Sequence, residues 1–182
     1  MQSFIIIAIL FSLAVQPFPV AIGIQAKHNW LKAGLFVVIM ALVQTILLWA
    51  GIWLGGLFMH FMDGFRGVVL FLGFTLVGIR MLMEVFHIRK GERTYSIDSM
   101  SLVFFASLAQ AMNTLLVGLM LSYFILTGIP VFVILFLASI LIAATGVLLS
   151  PTKLNLSLAS LLYLTGGLVM LASAVYLAFF IT

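Results

Sequence analysis

Residues 33–59, AGLFVVIMALVQTILLWAGIWLGGLFM, decide the fold class of this protein because the run contains no charged side chain. About 20 apolar residues in a helix cross the hydrocarbon core of a bilayer, which is about 30 Å thick. The composition agrees: of 182 residues, 65% are hydrophobic and only 7% are charged, whereas soluble domains carry about 25% charged residues. The sequence therefore predicts an integral membrane protein surrounded by a lipid bilayer.

Five further apolar runs have the length of a membrane span. They cover residues 3–25, 67–86, 100–126, 129–149 and 156–181. We expect an all-α integral membrane fold of six transmembrane helices, forming a single membrane domain over residues 1–182. The connections are short, which favours antiparallel packing of sequential helices. The first run lacks a basic residue before it and a cleavage pattern after it, so we interpret it as a retained helix and not a signal peptide.

The basic residues between the runs predict the orientation in the membrane. Six of them fall in the first, third and fifth connections, namely Lys27, Lys32, Arg89, Lys90, Arg93 and Lys153, whereas the second and fourth connections contain only Arg66. Because cytoplasmic loops carry the excess of Lys and Arg, we expect both termini to lie outside the cytoplasm. This distribution also explains the net charge of +4 without nucleic-acid binding.

The two halves of the chain resemble each other. At an offset of 97 residues, Gln16 matches Asn113, each two positions after an alanine; at an offset of 95, Gln44 and Gly51 match Ser139 and Gly146. We predict two repeats, about 1–90 and about 98–182, of three helices each. An odd number of crossings inverts the second copy, and inverted repeats are typical of transporters.

Four segments resemble motifs of the bacterial manganese efflux pump family (MntP-like), a branch of the lysine-exporter superfamily. They are residues 12–23 (SLAVQPFPVAIG), 77–84 (VGIRMLME), 111–118 (AMNTLLVG) and 164–167 (LTGG). The resemblance implies efflux of manganese across a bacterial cytoplasmic (inner) membrane, with a site on the first and fourth helices. We expect no cofactor, since the chain has no cysteine and only three histidines. The family carries an aspartate in each of these two helices, whereas this chain has Gln16 and Asn113, which provide oxygen ligands without charge and without a titrating proton.

Two prolines follow Gln16. Pro17 and Pro19 lack the amide hydrogens that would bond the carbonyls of Leu13 and Val15, so the helix should kink or unwind there. Carbonyls freed at that depth suit an ion or solute site. The alternative is that the prolines only bend the helix while hydroxyls or water bond these carbonyls.

The fourth run carries a polar stripe. Ser107, Gln110 and Asn113 recur every three residues, with Thr114 beside them, and Gln44 lies in the second run. We predict that Asn113, Gln110, Thr114 and Gln44 line a transport pathway together with Gln16. The alternative is a set of hydrogen bonds between helices.

Charged residues within the runs are rare. Arg80 and Glu84 lie four residues apart on one face of the third helix, and we interpret them as a structural or gating pair. At an offset of 95, the second repeat has Val175 and Phe179 at these positions. His60 and Asp63, with Met59 and Met62 nearby, form a weaker candidate metal site.

The sequence offers no motif or acid–base pair of an enzyme. Two functional hypotheses remain. The first is a small transporter that moves a cation or small solute outward, with its site between broken first and fourth helices. The second is a relative that no longer transports and serves as a structural or regulatory subunit of a membrane complex. A homodimer or another membrane partner is compatible with both.

Overall fold

The computed structural model describes residues 2–24, 30–92, 99–124, 129–149 and 151–180. These ranges are helical and contain no β-strand. The helices are α1 (Gln2–Ala14), α2 (Phe18–Ile22), α3 (Trp30–Phe58), α4 (Arg66–Arg89), α5 (Met100–Leu121), α6 (Ile129–Leu148) and α7 (Lys153–Phe180), and a 3₁₀ segment, Met59–Phe65, joins α3 to α4. Among the residues used to predict orientation, Lys27 and Arg93 lie outside the described ranges.

Each predicted apolar run corresponds to a helix or, for the first run, to the pair α1 and α2. Five helical segments are long and apolar enough to cross a membrane, and one of them, Trp30–Arg89, has 60 residues because the 3₁₀ segment continues α3 into α4. The all-helical architecture is therefore confirmed, and its long apolar segments are those of a membrane protein.

The first predicted span is broken in the middle. Helix α1 ends at Ala14 and α2 begins at Phe18, with residues 15–17 in turns between them. Pro17 stands at the N-cap of α2 and Pro19 in its first turn, where a missing amide hydrogen costs least. The two prolines therefore account for the break, as the sequence predicts.

The fourth predicted span is continuous, which corrects the expectation of a broken fourth helix. Helix α5 runs from Met100 to Leu121 through Asn113 without interruption. The physical reason is that α5 contains no proline: Thr114 and Leu116, at the positions of Pro17 and Pro19, keep their amide hydrogens for the helix.

Packing joins helices that are distant in the sequence. Helix α3 packs on α5 and α6, α4 packs on α7, and α1 and α2 pack on α6 and α7. Of the consecutive long helices in the described ranges, only α4 and α5 are in extensive contact. The expectation that sequential helices pack antiparallel on each other is therefore wrong for the other pairs, because a short connection limits the distance between helix ends and does not determine the packing partner.

Helices α3 and α5 cross in close contact. A Cβ atom on Gly118 would lie 2.6 Å from the Leu48 carbonyl oxygen and 3.0 Å from the Gly51 Cα atom. Glycine at both positions lets the two backbones touch, as small residues do in membrane helix pairs.

Apolar side chains lie on the surface and polar side chains in the interior, as expected for a protein in lipid. Large apolar side chains cover the surface, including Trp49 (56% exposed), Leu141 (67%) and Phe179 (72%). The interior holds polar side chains that are at most 5% exposed, namely Ser12, Gln16, Gln44, Ser107, Asn113, Thr114, Ser139, Ser160 and Ser173. A bilayer is the solvent that suits such a surface, since exposed apolar patches of this extent are rare on soluble monomers.

Candidate functional site

A polar cavity lies in the half of the bundle where α4 ends and α5 begins. This cavity, which we call the vestibule, has a volume of about 210 Å³. Its lining residues are Val20, Arg80, Glu84, Ile88, Ala106, Ala109, Gln110, Asn113 and Tyr163. The vestibule therefore brings the charged pair of α4 together with the polar stripe of α5, two features that the sequence analysis treated separately.

A second, much smaller cavity lies next to the vestibule. Its volume is about 10 Å³, room for about one water molecule. It is lined by Gln16, Pro17, Met40, Gln44, Ser107, Gln110 and Ala111. Gln110 borders both cavities, so the two cavities together hold all of the predicted polar pathway residues except Thr114.

Thr114 is linked to this group by a hydrogen bond. Its hydroxyl is fully buried and donates to Gln16 Oε1 across 3.5 Å, which joins α5 to the break between α1 and α2. The two motif helices therefore meet at Gln16 and at Thr114, the residue next to Asn113, the repeat equivalent of Gln16.

Two buried polar atoms at this meeting point have no hydrogen-bond partner in the described part of the chain. They are Gln16 Nε2 and Asn113 Oδ1, on side chains that are 1% and 4% exposed. Leaving such an atom unsatisfied costs about 1–3 kcal/mol, and an unsatisfied buried polar group in a folded protein calls for a ligand, a water or a functional role. One of these atoms is a donor and the other an acceptor.

The carbonyls at the break are already bonded. Leu13 O accepts from the Gln16 backbone N–H at 3.0 Å and from Gln44 Nε2 at 2.5 Å, and Val15 O accepts from the Phe18 N–H at 3.1 Å. The expectation that Pro17 and Pro19 leave these carbonyls free is therefore wrong. Tightened i to i+3 turns and the side chain of Gln44 take the place of the amide hydrogens that the prolines lack.

Gln44 connects three helices. In addition to its bond to Leu13 in α1, its Oε1 accepts from the Ser139 hydroxyl of α6 at 3.0 Å. Both ends of this buried amide are thus occupied by protein. Ser107, in contrast, donates to the Val103 carbonyl of its own helix at 2.7 Å. This bond lies within α5 and does not join it to a neighbouring helix.

Arg80 and Glu84 line the vestibule and are half-buried. Arg80 Nη2 donates to the Ala109 carbonyl of α5 across 3.5 Å, so the guanidinium bridges α4 and α5 at the side of the cavity. Glu84 adds a carboxylate to a lining that is otherwise neutral or cationic, and this places an anionic oxygen ligand in the same cavity as Asn113.

Sequence reasoning missed Tyr163. This residue of α7 is 3% exposed, its hydroxyl donates to the Gln16 backbone carbonyl at 2.9 Å, and it also lines the vestibule. The sequence does contain a signal for it, since Tyr163 stands directly before the LTGG motif in an apolar run. A tyrosine buried there needs a hydrogen-bond partner for its hydroxyl.

The loop candidate for metal binding gains little from the structure. His60 and Asp63 are both exposed on the 3₁₀ segment, and the His60 ring lies against the Phe61 ring at a centroid distance of 3.9 Å. In the described ranges, no group of three or more His, Cys, Asp or Glu side chains could hold a metal ion.

A polar cluster closes the opposite end of α5. Arg66 Nη2 donates to the Tyr123 carbonyl at 2.8 Å, and its guanidinium lies 5.2 Å from the Tyr123 ring centre and 5.4 Å from that of Phe124. The Tyr123 hydroxyl donates to the Met59 carbonyl at 2.9 Å. Burial, and secondarily the negative charge of Asp63, raise the pKa of Tyr123, while Arg66 opposes this shift.

Comparison with known proteins places the chain in a family. Neither a curated protein sequence nor a solved structure matches it. The sequence profile described as "Putative manganese efflux pump" matches residues 27–177, a range that includes Asn113 and the vestibule residues of α4 but not Gln16. Because this match covers most of the chain, the protein belongs to this efflux pump family, whose members are described as transporters and not as enzymes.

Proposed function

We propose that the protein exports Mn²⁺, or a cation of similar chemistry, across a bacterial cytoplasmic membrane by alternating access. The observation that carries the proposal is the vestibule, which leads from the charged pair of α4 to the buried amide of Asn113 and its unpartnered oxygen. Gln110 and Gln16 continue this polar path through the smaller cavity. Neither cavity is lined by residues of the 3₁₀ segment at the opposite end of the bundle, as expected of a carrier open to one side.

Six crossings are the arrangement that best fits the helix lengths. At about 1.5 Å per residue the Trp30–Arg89 segment would be about 90 Å long if straight, three times the hydrocarbon thickness. We therefore place the reversal at the 3₁₀ segment, so that α3 and α4 each cross once. The excess of basic residues then puts both termini outside and the vestibule on the cytoplasmic side, where an exporter collects its substrate.

The packing pattern supports two inverted repeats. If α1 with α2 corresponds to α5, α3 to α6 and α4 to α7, then each extensive contact between helices either joins a corresponding pair or has its equivalent. The contact of α3 with α5 has its equivalent in that of α6 with α2, and the contact of α1 with α7 in that of α5 with α4. The hydrogen bond from Ser139 to Gln44 joins two residues that the offset of 95 places in corresponding positions.

The vestibule supplies ligands that suit Mn²⁺. This ion prefers carboxylate, carbonyl and water oxygens, and Glu84 and Asn113 provide a carboxylate and an amide oxygen in one cavity. The negative charge that the family places on the two motif helices is thus available from α4. In this arrangement Glu84 collects the cation and Asn113 and Gln16 form the neutral centre through which it passes.

Cellular manganese content tests the proposal. A manganese-sensitive bacterial strain without its own exporter would express the protein, the Glu84→Gln variant, or the Gln16→Asp, Asn113→Asp double variant, and manganese would be measured by elemental mass spectrometry. The fall in cellular manganese caused by the unmodified protein should be about tenfold larger than the fall caused by Glu84→Gln. One lost charged ligand is worth about 1.4 kcal/mol or more, which is a factor of about ten in cation binding. Lowering by the aspartate variant alone would contradict manganese as the substrate.

The second candidate function is that of a non-transporting subunit of a membrane complex. The observation that favours it is the neutral centre, where both side chains at the family's aspartate positions are amides. If neither the unmodified protein nor the aspartate variant lowers manganese, and a companion protein copurifies with the chain in mild detergent, this second function replaces the first.

A further inference from the structure

The contact between α4 and α7 shows how the last helices of the two repeats correspond. A Cβ atom on Gly78 would lie 2.8 Å from Leu171 Cγ, and one on Gly167 would lie 3.0 Å from Leu82 Cδ2. Both pairs are related by one offset of 89 residues, so the same contact is made twice, as across a two-fold axis. The fully buried Met81 and Met170 obey the same offset.

This offset corrects the correspondence derived from sequence. With 89 in place of 95, Arg80 corresponds to Val169 and Glu84 to Ser173, and not to Val175 and Phe179. The difference of six residues fits the longer connection of the first repeat, where the 3₁₀ segment Met59–Phe65 separates α3 from α4. Neither correspondence places a charge in the second repeat.

The first two helices of each repeat keep the offsets of 97 and 95. Gly118 meets Gly51 where α5 crosses α3; the corresponding residues, Ala21 and Gly146, meet where α2 crosses α6, with a Cβ atom on Gly146 2.8 Å from Ala21 Cβ. The two crossings are therefore equivalent by position and by contact.

Applied to the vestibule, these offsets select a second set of residues. The counterparts of its nine lining residues are Ile9, Ser12, Leu13, Gln16, Phe74, Val117, Val169, Ser173 and Leu177. All of them except the half-buried Val169 are at most 5% exposed. The same helices that enclose an open cavity in one half of the bundle are thus packed together in the other half.

We infer that this second set, which we call the counterpart set, lines the outward-facing half of the transport path and opens when the vestibule closes. The inference rests on the proposed function for its physiological meaning. Two repeats of one fold can each adopt the conformation of the other. The half of the bundle that is open then becomes packed, and the packed half becomes open. The interface of α4 with α7 lies on the axis and stays packed in both states.

The exchange is unequal in charge, which suits export. On the cytoplasmic side the cavity contains the Glu84 carboxylate, whereas the outward cavity has the hydroxyl of Ser173 at that position. A cation reaching the outward cavity meets Ser12, Ser173 and the amide of Gln16 but no carboxylate, so its release there is not opposed by a charged ligand.

Cysteine accessibility tests the inference directly, because the chain contains no native cysteine. Ser173→Cys and Ser12→Cys, both at counterpart positions, would be treated in intact spheroplasts with a membrane-impermeant maleimide. Leu70→Cys is the matched control: Leu70 is 0% exposed near the same end of the bundle, and its counterpart Ala159 does not line the vestibule. Ala109→Cys, in inside-out vesicles, reports the vestibule itself.

We expect Ser173→Cys and Ser12→Cys to react from outside at least about tenfold faster than Leu70→Cys, and Ala109→Cys to react from the cytoplasmic side. Reaction of both serine variants no faster than Leu70→Cys, in protein that remains monodisperse in detergent, overturns the inference. Manganese transport measured on the unmodified protein and on Leu70→Cys separates the two proposals: outside labelling of the serine variants without transport by these two proteins would leave the inference standing and refute the manganese function.

Discussion

The two motif helices hold equivalent amides in different backbones. Gln16 lies in the turn between α1 and α2, where Pro17 interrupts the helix, whereas Asn113 lies within the continuous α5. Gln16 has backbone and side-chain contacts to α5 and α7 through Thr114 and Tyr163. Asn113 faces the vestibule. One repeat thus uses a helix break where the other uses an intact helix.

A helix break inside a membrane requires other hydrogen-bond donors for the carbonyls that lose an amide hydrogen. The carbonyl of Leu13 has no amide hydrogen at position 17 to bond, at a depth where no bulk water can replace it, and it accepts instead from the Gln16 N–H of the tightened turn. Gln44 of α3 donates to that carbonyl. The break is therefore stabilised by a side chain from a neighbouring helix, while α5 needs no such support because its backbone bonds are internal.

The largest effect is expected at the helix crossing that α5 makes with α3. Gly118→Ala would place a methyl group 2.6 Å from the Leu48 carbonyl oxygen, a backbone atom that cannot move aside. We expect the free energy of unfolding to fall by about 1–3 kcal/mol, measured by thermal unfolding in detergent. Gly56→Ala, on α3 with no atom within 4 Å of the added Cβ, is the control and should not destabilise the protein.

Gly146→Ala tests the corresponding crossing beside the broken helix. Its nearest neighbours are Ala21 Cβ at 2.8 Å and Phe18 O at 3.0 Å, on the short helix α2, which can shift more easily than the long helices α3 and α5. A loss smaller than that of Gly118→Ala is expected. An equal or larger loss would show that the break gives α2 no freedom to adjust.

An intermediate effect is expected at Gln44. Gln44→Leu removes two buried hydrogen bonds, to Leu13 and Ser139. It should cost about 1–2 kcal/mol, given an average of about 0.6 kcal/mol per bond in membranes and an added penalty for the Ser139 hydroxyl, which loses its acceptor. In a Pro17→Ala background the restored amide hydrogen can bond Leu13, so the same substitution should cost less. Equal costs in both backgrounds, in a double-mutant cycle, would show that Gln44 does not support the break.

The smallest effect is expected from Tyr123, beyond the end of the continuous α5. Its pKa is raised above 10.0, mainly by burial, so the folded protein holds the phenolic proton more tightly than the unfolded chain. This contribution to stability is complete below pH 10 and is lost as the pH rises through the raised pKa. Tyr123→Phe should show a weaker decline in thermal stability at alkaline pH; an unchanged decline would contradict this assignment.

Much of the helical architecture can be predicted from the sequence. Apolar runs longer than about 20 residues specify helices in a bilayer regardless of their partners, and Pro17 and Pro19 act through local geometry, so the break after Ala14 was also predictable. The continuity of α5 was predictable for the same local reason, because α5 contains no proline. The expectation of a break in the fourth helix was transferred from the first helix by the repeat, and it was wrong.

The tertiary relations could not be predicted. Which helices pack against each other depends on surfaces that are distant in the sequence, such as those that meet at Gly51 and Gly118. The periodicity within one helix does not identify the helix on which it packs. The bond from Gln44 to Leu13 and the meeting of Glu84 with Asn113 in one cavity follow from that packing. The candidate site was therefore predicted as separate residues, and only the fold shows which of them share a cavity.

Manganese flux into proteoliposomes shows whether the two amides form the centre of the pathway. The purified protein would be compared with Gln16→Leu, Asn113→Leu and with a control that makes the same polar-to-apolar change on the exposed residues Thr145 and Thr165. We predict flux for the unmodified protein and the control and none above empty liposomes for the amide variant. Equal flux through a well-folded amide variant would contradict the account.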